Sequence, residues 1–306
     1  MRVATIDIGT NTVLLLVAER RGDGALEAVC ERATITRLGE GVDRSRRLSA
    51  AAVARTAACL DEYADAAREL GVQRVAVVGT SAMRDASGGE PLHHLVRARL
   101  GVDVRVVSGD EEARLTFRGA LSGLRVDATE DVAVFDIGGG STEVVVGRAA
   151  AGSPRIEYAR SFDVGSVRLT ERHVTHDPPT EAEIDQLRRA ARAAFATVPP
   201  LPGGRPPVGI AGTMTTLAAV SLGLEPYDGA RVHGHAMGKG DLDAVVAMLA
   251  STDLASRRVI RGMEPKRADV IVAGGILAQS LLELWQTDAV IVSDRGVRWG
   301  LAEELT

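Results

Sequence analysis

The chain carries one apolar hairpin pattern twice, and this duplication constrains its fold more than any other feature. Residues 3–17 are VATIDIGTNTVLLLV, and residues 132–147 are VAVFDIGGGSTEVVVG. In each copy an apolar strand carries an Asp near its end, a short turn of Gly and hydroxyl residues follows, and a second apolar strand returns. Backbone N–H groups and hydroxyls at such a turn can hold phosphate oxygens. Two copies about one domain apart predict two similar halves that face each other across a phosphate-binding cleft.

The polar residues of the two turns are the candidate ligands of phosphate and metal. Asp7 and Asp136 stand at the ends of the two first strands, where a carboxylate can hold a hard cation directly or through water. The candidate phosphate-binding residues of the turns are Gly9, Thr10, Asn11, Thr12, Gly138, Gly139, Gly140, Ser141 and Thr142. A strand that runs into Gly212 and Thr213 before a helix predicts a further anion site, because helix N-terminal amides attract anions.

A capping signal over residues 108–112 distinguishes two neighbouring acids. Ser108 is followed three residues later by Glu111, the spacing of a capping box, so Glu111 is expected to fold back on the helix start. This local role leaves Glu112 as the better candidate for chemistry, with Glu111 as the fallback.

The alternation of strands and helices predicts an α/β fold. Apolar and β-branched runs between helical segments of the first half predict a mostly parallel sheet. A chain of 306 residues is comfortable for two domains. The polar segment 119–129 is expected to carry the crossing between them, which places the domains at 1–122 and 123–295.

Composition excludes several function classes. A net charge of −5 and only 3% aromatic residues do not favour a binder of nucleic acid polymers. Cys30 and Cys59 are too few for a disulfide framework, which favours a reducing cytoplasm. We expect neither a signal peptide nor a membrane span, because the N-terminus enters a strand directly and the longest apolar region is interrupted by polar residues.

Five motifs together resemble the Ppx/GppA family of exopolyphosphatases and guanosine pentaphosphate phosphohydrolases. These motifs are DIGTNT at 7–12, TSAMRDA at 80–86, SGDEEARL at 108–115, DIGGGSTE at 136–143 and AGTMTTLAA at 211–219. They stand in the family's order and extend from the first strand to the last third of the chain. The resemblance implies two actin-like, ribonuclease H-like domains, with a helix at about 296–306 that packs back on the first domain.

The resemblance also implies roles for single residues. Glu112 matches the family's proposed general base, and Glu143 matches an acid that joins Asp7 and Asp136 around Mg²⁺, with Mn²⁺ as the alternative metal. Arg84 matches a phosphate clamp. His173, His176, His233 and His235 lack the partners of a zinc site, so structural or solvated roles are favoured. A substrate contact of His233 stays open, because family members carry a similar stretch.

The resulting hypothesis is a cytoplasmic, homodimeric exopolyphosphatase that releases orthophosphate from polyphosphate ends. A preference for short chains is expected, since 306 residues leave no room for the C-terminal helical domain of longer family members. The main alternative keeps the chemistry and changes the substrate to pppGpp or another nucleoside triphosphate. A guanosine tetra- or pentaphosphate ligand, a non-catalytic sensor and a sugar or acetate kinase are the other hypotheses.

Overall fold

The computed structural model describes residues 1–306 except 23, 125, 128–129 and 149–153. The chain divides into two compact units. Unit 1 comprises Met1–Gly119 and Val297–Thr306, and unit 2 comprises Ala120–Gly296. The segment 119–129, expected to carry the domain crossing, includes residues 125, 128 and 129, which lie outside the described part of the chain.

Unit 1 is built on a five-stranded sheet in the order β3-β2-β1-β4-β5. Its strands are β1 (Arg2–Ile8), β2 (Thr12–Arg20), β3 (Leu26–Ile35), β4 (Arg74–Gly79) and β5 (Val104–Val106). The first three strands pair antiparallel, whereas β1 pairs parallel with β4 and β4 parallel with β5. The expectation of a mostly parallel sheet is therefore wrong. Short turns join β1 to β2 and β2 to β3, and such turns permit only antiparallel pairing, while the parallel pairs are joined through helices.

Six helices accompany this sheet in the described residues. They are α1 (Val42–Ser45), α2 (Ala50–Glu69), α3 (Ser81–Asp85), α4 (Glu90–Leu100), α5 (Gly109–Leu121) and α13 (Val297–Leu305). The long helix α2 begins where the Ser49 side chain accepts a hydrogen bond from the Ala52 amide, as the sequence predicts.

The C-terminal helix α13 belongs to the core of unit 1. Trp299 is buried in a cluster with Val3 and Leu16, and Thr5 Oγ1 donates a 2.9 Å hydrogen bond to the Arg298 carbonyl. A Cβ at Gly300 would lie 2.1 Å from the Leu115 carbonyl oxygen, so only glycine allows this approach of α13 to α5. The end of the chain thereby closes the same unit that its first strand begins.

Unit 2 repeats the strand plan and adds one edge strand. Its sheet has the order β10-β11-β9-β6-β7-β8. The strands are β6 (Asp131–Ile137), β7 (Thr142–Arg148), β8 (Arg155–Phe162), β9 (Val208–Ile210), β10 (His235–Gly238) and β11 (Ala289–Val292). Three antiparallel strands, β6 to β8, are again followed by parallel neighbours, β9 and β11. Both units therefore have ribonuclease H-like topology, and the predicted fold class is confirmed.

The core of unit 2 lies between this sheet and its helices. The helices are α6 (Ser166–His173), α7 (Glu181–Ala194), α8 (Ala211–Ser221), α9 (Gly229–Val232), α10 (Lys239–Ser251), α11 (Leu254–Arg257) and α12 (Ile271–Trp285). Twelve of the 15 residues of α12 are buried, which identifies it as the central helix of this core. Among the described residues, we find no helix with both the length and the apolar character needed to span a bilayer.

The capping box of α7 gives a prediction about stability and pH. Glu183 accepts hydrogen bonds from the Thr180 amide and from Thr175, and its Oε1 lies 3.0 Å from His176 Nδ1. The hydrogen bond with His176, followed by that from the Thr180 amide, lowers the pKa of Glu183 well below its ordinary 4.5. A lowered carboxyl pKa contributes stability that is present above the unfolded pKa and is lost as the pH falls toward the folded value.

We therefore expect Glu183→Ala to lower the free energy of unfolding by about 1–2 kcal/mol at pH 7. This difference from the wild type should shrink as the pH falls below 4.5. Urea denaturation at a series of pH values measures it. Glu181→Ala, which removes an exposed acid from the same helix turn, is the control and should show no such convergence. A pH-independent difference for Glu183→Ala would contradict the assignment.

Candidate active site

The turn between β1 and β2 is held in one conformation by contacts on its carbonyl side. The Gly9 amide donates to the Thr12 carbonyl over 3.1 Å, and a Cβ at Gly9 would lie 2.8 Å from that oxygen. The Thr10 carbonyl accepts from the Gly39 amide, and the Asn11 carbonyl accepts from two amides of residues 36–37. Because the C=O and N–H of a trans peptide point in opposite directions, anchoring the Thr10 carbonyl directs the Asn11 N–H to the other side of the turn.

Segment 36–39, which follows β3, packs against this turn and was not predicted from the sequence. A Cβ at Gly39 would lie 2.3 Å from Thr10 Cγ2, so the segment is in close contact with the turn. The only sequence signal for it is a Gly after an apolar strand. Thr10 and Asn11 are buried beneath such contacts, with 9% and 8% of their surface exposed.

Asp7 lies on β1 beside this turn. It pairs with Leu14 of β2 on one side and with Val78 of β4 on the other, and it is buried. A buried carboxylate at the centre of a sheet is costly unless it is compensated, and the metal-binding role of Asp7 stays a prediction.

The structure brings the predicted general base and the predicted phosphate clamp of unit 1 into direct contact. Arg84 lies on α3 and Glu112 lies in the first turn of α5. Arg84 Nη1 donates to Glu112 Oε2 over 2.9 Å and to the Val107 carbonyl over 3.1 Å. The Glu112 side chain is only 8% exposed, whereas that of Arg84 is 24% exposed. The guanidinium can therefore reach solvent while it neutralises the buried acid.

Glu111 occupies a different environment from its neighbour. Its amide donates to Ser108 Oγ over 3.2 Å, which is one half of the expected capping box. Its carboxylate lies 3.4 Å from Arg105 Nε, and its side chain is 40% exposed. Glu111 thus serves the helix start and the surface, while Glu112 is the carboxylate held beside Arg84.

The turn between β6 and β7 in unit 2 is anchored from behind in the same way. The Gly138 carbonyl accepts from the Ser166 amide, the Gly139 carbonyl accepts from the amides of residues 167 and 168, and the Gly140 carbonyl accepts from Arg168 Nε over 2.6 Å. Three consecutive carbonyls are therefore tied to α6. The N–H groups of the following residues, Gly139, Gly140 and Ser141, point to the opposite side, as an anion-binding turn requires.

Two of the predicted phosphate-binding hydroxyls have structural partners instead. Thr142 is fully buried, and its hydroxyl donates to the Val164 carbonyl over 2.6 Å. Thr213 Oγ1 donates to the Ile137 carbonyl over 2.9 Å. These hydrogen bonds fix the end of β6 and the start of β7. At Thr142 and Thr213 the backbone, and not the side-chain hydroxyl, is therefore the group available to a ligand.

Asp136, Glu143 and Ser161 form a row across three strands of unit 2. Asp136 on β6 pairs with Glu143 on β7, and Glu143 pairs with Ser161 on β8. Residues directly opposite each other on antiparallel strands share one face of the sheet, with Cβ atoms about 5 Å apart. Glu143 is 1% exposed, and the Ser161 hydroxyl donates a 2.6 Å hydrogen bond to its Oε1.

This pair of acids fits a magnesium site with few protein ligands. Two like charges on directly opposite residues repel each other, and a cation between them would remove that cost. Among the described residues, no group of three or more His, Cys, Asp or Glu side chains is arranged to hold a metal. Mg²⁺ is commonly bound by one or two carboxylates together with water and substrate phosphates, and Asp136 and Glu143 match that pattern.

The third predicted anion site lies at the start of α8. Ala211 adopts φ 66°, and this sharp corner between β9 and α8 is left without a side-chain cap. A Cβ at Gly212 would lie 1.4 Å from Arg267 Nη1, so the guanidinium lies directly against this glycine. Burial lowers the pKa of the Arg267 guanidinium, although the side chain as a whole is partly exposed.

Arg267 lies beside the predicted anion site at the start of α8 and is not among the residues predicted from the sequence. It places a positive charge beside the positive end of a helix, an arrangement that an anion stabilises. Its sequence context, Glu264-Pro-Lys-Arg267, matches no phosphate motif, and the approach to Gly212 spans 55 residues of chain. Only the fold reveals it.

Two of the four histidines, His176 and His233, contact carboxylates, and the roles favoured for His173 and His235 stay predictions. His233 Nδ1 lies 2.9 Å from Asp294 Oδ1 and 3.3 Å from Ser293 Oγ. The pair links the end of α9 to the segment after β11. His176 contacts Glu183 as described above.

Two ribonuclease H-like units in one chain, each with an Asp before a glycine-containing hairpin turn, define a protein of the actin-like class. The model of the Ppx/GppA phosphatase family matches residues 16–305, and the chain belongs to this family. The family and the fold inferred from the five motifs are thus confirmed.

Individual relatives agree with this assignment. Exopolyphosphatase 2 of Mycobacterium tuberculosis is 38% identical over 320 residues, which cover 99% of this chain and 98% of that protein. The crystal structure of the Aquifex aeolicus Ppx/GppA family member superposes with a TM-score of 0.83 at 34% identity, covering 100% of this chain and 98% of that one. A guanosine-5'-triphosphate,3'-diphosphate pyrophosphatase of Vibrio atlanticus is 27% identical over 310 residues, covering 99% of this chain and 59% of that protein.

Proposed function

We propose that this protein is an exopolyphosphatase that hydrolyses the terminal phosphoric anhydride bond of inorganic polyphosphate. The observation that carries the proposal is the buried Glu112 carboxylate in the first turn of α5, held 2.9 Å from Arg84. A buried acid beside a partly exposed guanidinium supplies both a base for water and a cation for phosphate. The 38% identity with an exopolyphosphatase over nearly the whole chain supports the same activity.

Glu112 is assigned the role of general base. In the reaction, a water oxygen attacks the terminal phosphorus while Glu112 accepts a proton from that water. The bond between phosphorus and the bridging oxygen breaks, and the shortened chain leaves with the bonding electron pair. Phosphoryl transfer needs little covalent participation from the protein, so positioning and charge stabilisation account for most of the catalysis.

Arg84 is assigned one role before substrate binds and another after it binds. Without substrate it neutralises the buried carboxylate, whose lone pairs are then directed toward the guanidinium. A terminal phosphate has more negative oxygens than Glu112 and accepts the planar fork of Arg in two hydrogen bonds. Transfer of Arg84 from Glu112 to the phosphate would release the carboxylate for water only when substrate is bound.

The groups of unit 2 are assigned to substrate binding. The N–H groups of Gly139, Gly140 and Ser141, together with the α8 start and Arg267, bind phosphate oxygens. Asp136 and Glu143 are assigned to Mg²⁺, with Mn²⁺ as a substitute, while the part in metal binding predicted for Asp7 from the sequence stays a prediction. When bound, the metal neutralises charge that develops on phosphate oxygens.

The proposal includes a cytoplasmic homodimer, with the two free cysteines supporting the reducing location.

A second candidate substrate is pppGpp, because the chain also aligns with a guanosine pentaphosphate-directed relative. The bond that breaks is the same type of anhydride, and the Glu112 and Arg84 assignments are unchanged. What would differ is the group beyond the terminal phosphates. Arg267 beside Gly212 offers a cation for such an additional group.

The experiment that tests the proposal measures orthophosphate release with Mg²⁺ from short polyphosphate, long polyphosphate, pppGpp and ATP. We expect kcat/KM for at least one polyphosphate to exceed that for pppGpp and ATP by 10-fold or more, about 1.4 kcal/mol. A higher value for pppGpp assigns the second candidate. Binding without turnover would indicate a sensor, and phosphate transfer to a sugar or acetate would indicate a kinase.

A further inference from the structure

Ser161 is the one member of the row across β6, β7 and β8 to which no role has been assigned. It lies near the end of β8, opposite Glu143, and its hydroxyl donates a 2.6 Å hydrogen bond to Glu143 Oε1. This length is typical of a hydroxyl that donates to an ionised carboxylate. Ser161 therefore fixes one oxygen of a carboxylate that is proposed to bind a cation.

The duplicated architecture supplies an internal comparison for this row. In unit 1 the position opposite Asp7 is Leu14, and the position opposite Leu14 is Ala33. The two units thus carry equivalent strand positions, but the row is Asp-Leu-Ala in unit 1 and Asp-Glu-Ser in unit 2. The fold does not need polar groups at the second and third positions of the row, since unit 1 forms the same three-stranded arrangement with Leu14 and Ala33 there.

The hydrogen bond has a geometrical consequence for Glu143. A carboxylate is planar, so fixing Oε1 restricts rotation of the whole group and sets the direction in which its oxygens are presented. Glu143 is 1% exposed and faces Asp136, so an unrestrained carboxylate could turn away to relieve the repulsion. A donor on the far strand opposes that rotation.

We propose that Ser161 is a positioning residue for a divalent cation bound by Asp136 and Glu143. Its hydroxyl holds the Glu143 carboxylate in the orientation that shares the cation with Asp136. The proposal rests on the proposed function, because that function gives the cation its part in catalysis. Binding of the cation can be measured apart from turnover. Groups that orient metal ligands in this way change metal affinity or activity by about 10–100-fold when removed.

The test measures two quantities. Electron paramagnetic resonance in the absence of substrate gives the affinity of the full chain for Mn²⁺, and a phosphate-release assay gives the Mg²⁺ dependence of activity. For Ser161→Ala we expect Mn²⁺ affinity to fall about 10-fold. The Mg²⁺ concentration for half-maximal activity should rise by a similar factor, with a much smaller change in kcat at saturating Mg²⁺. Ser161→Thr keeps the hydroxyl and should restore most of the Mn²⁺ affinity.

Tyr158→Phe is the matched control. It removes, from the same strand, a hydroxyl that contacts the Thr197 carbonyl and not Glu143. This change should leave Mn²⁺ affinity unchanged. Unchanged Mn²⁺ affinity in Ser161→Ala, or an equal loss in Tyr158→Phe, overturns the proposal, and so does a wild type that binds no Mn²⁺. A wild type that binds Mn²⁺ but releases no phosphate refutes the proposed function alone.

Discussion

Glu112→Gln is expected to lower kcat for phosphate release roughly 1,000-fold, within the range found for loss of a general base. Glutamine has nearly the same shape and can still accept the hydrogen bond from Arg84, so folding and substrate binding should change little. What it cannot do is accept a proton from the attacking water. Steady-state kinetics with the preferred substrate, together with the thermal unfolding midpoint, measure both effects.

Glu111→Gln is the control for this prediction. Glu111 is the adjacent acid in the same helix turn, but its carboxylate is partly exposed and pairs with Arg105. Its replacement should change kcat less than threefold, since exposed ion pairs contribute little. A large loss in Glu111→Gln with full activity in Glu112→Gln would reverse the assignment and make Glu111 the base.

Gly165→Ala is expected to cause the second large effect, through backbone geometry rather than chemistry. A Cβ at this position would lie 2.4 Å from the Gly139 carbonyl oxygen and 2.7 Å from the Gly140 carbonyl carbon. Both are backbone atoms, so no side-chain rotation can relieve the overlap, and the turn must move away from α6. Displacement of a binding group by about 1 Å can cost 100-fold in rate, and we expect kcat/KM to fall by about that factor.

The same variant should also lose about 1–3 kcal/mol of stability, as other overpacked positions do. Gly203→Ala is the matched control, because a Cβ at Gly203 has no atom within 4 Å and the residue lies in the loop before β9. It should leave both quantities unchanged. Wild-type kcat/KM in Gly165→Ala would show that the 138–141 turn does not bind substrate.

The strands and long helices were predictable from the sequence because their signals are local. The predicted alternation of strands and helices is present in both units, and Ser49 caps α2 as expected. Alternation of apolar residues, cap residues and turn glycines each act within a few positions. The short elements α1, α3 and α9 were not predicted, since four or five residues carry too little periodicity.

Parts of the candidate site depend on contacts that no local pattern encodes. The motif around Glu112 suggested a base, but its ion pair with Arg84 joins residues 28 positions apart. Arg267 reaches Gly212 from a segment without a motif, and Ser161 reaches Glu143 only through strand pairing. The Ser108 cap of α5 follows from a local spacing, but only half of the expected capping box forms, because the Glu111 carboxylate pairs with Arg105.

The anchored carbonyls of the 138–141 turn keep its anion-binding geometry the same from one bound ligand to the next. A peptide plane whose oxygen is tied to α6 and Arg168 cannot flip, so the turn keeps a single polarity whether it is empty or occupied. No ordering of the loop is then required when an anion arrives, and none is lost when it departs. An enzyme that removes one phosphate after another from a polymer end benefits from a rigid anion-binding turn, because each catalytic cycle begins from the same geometry.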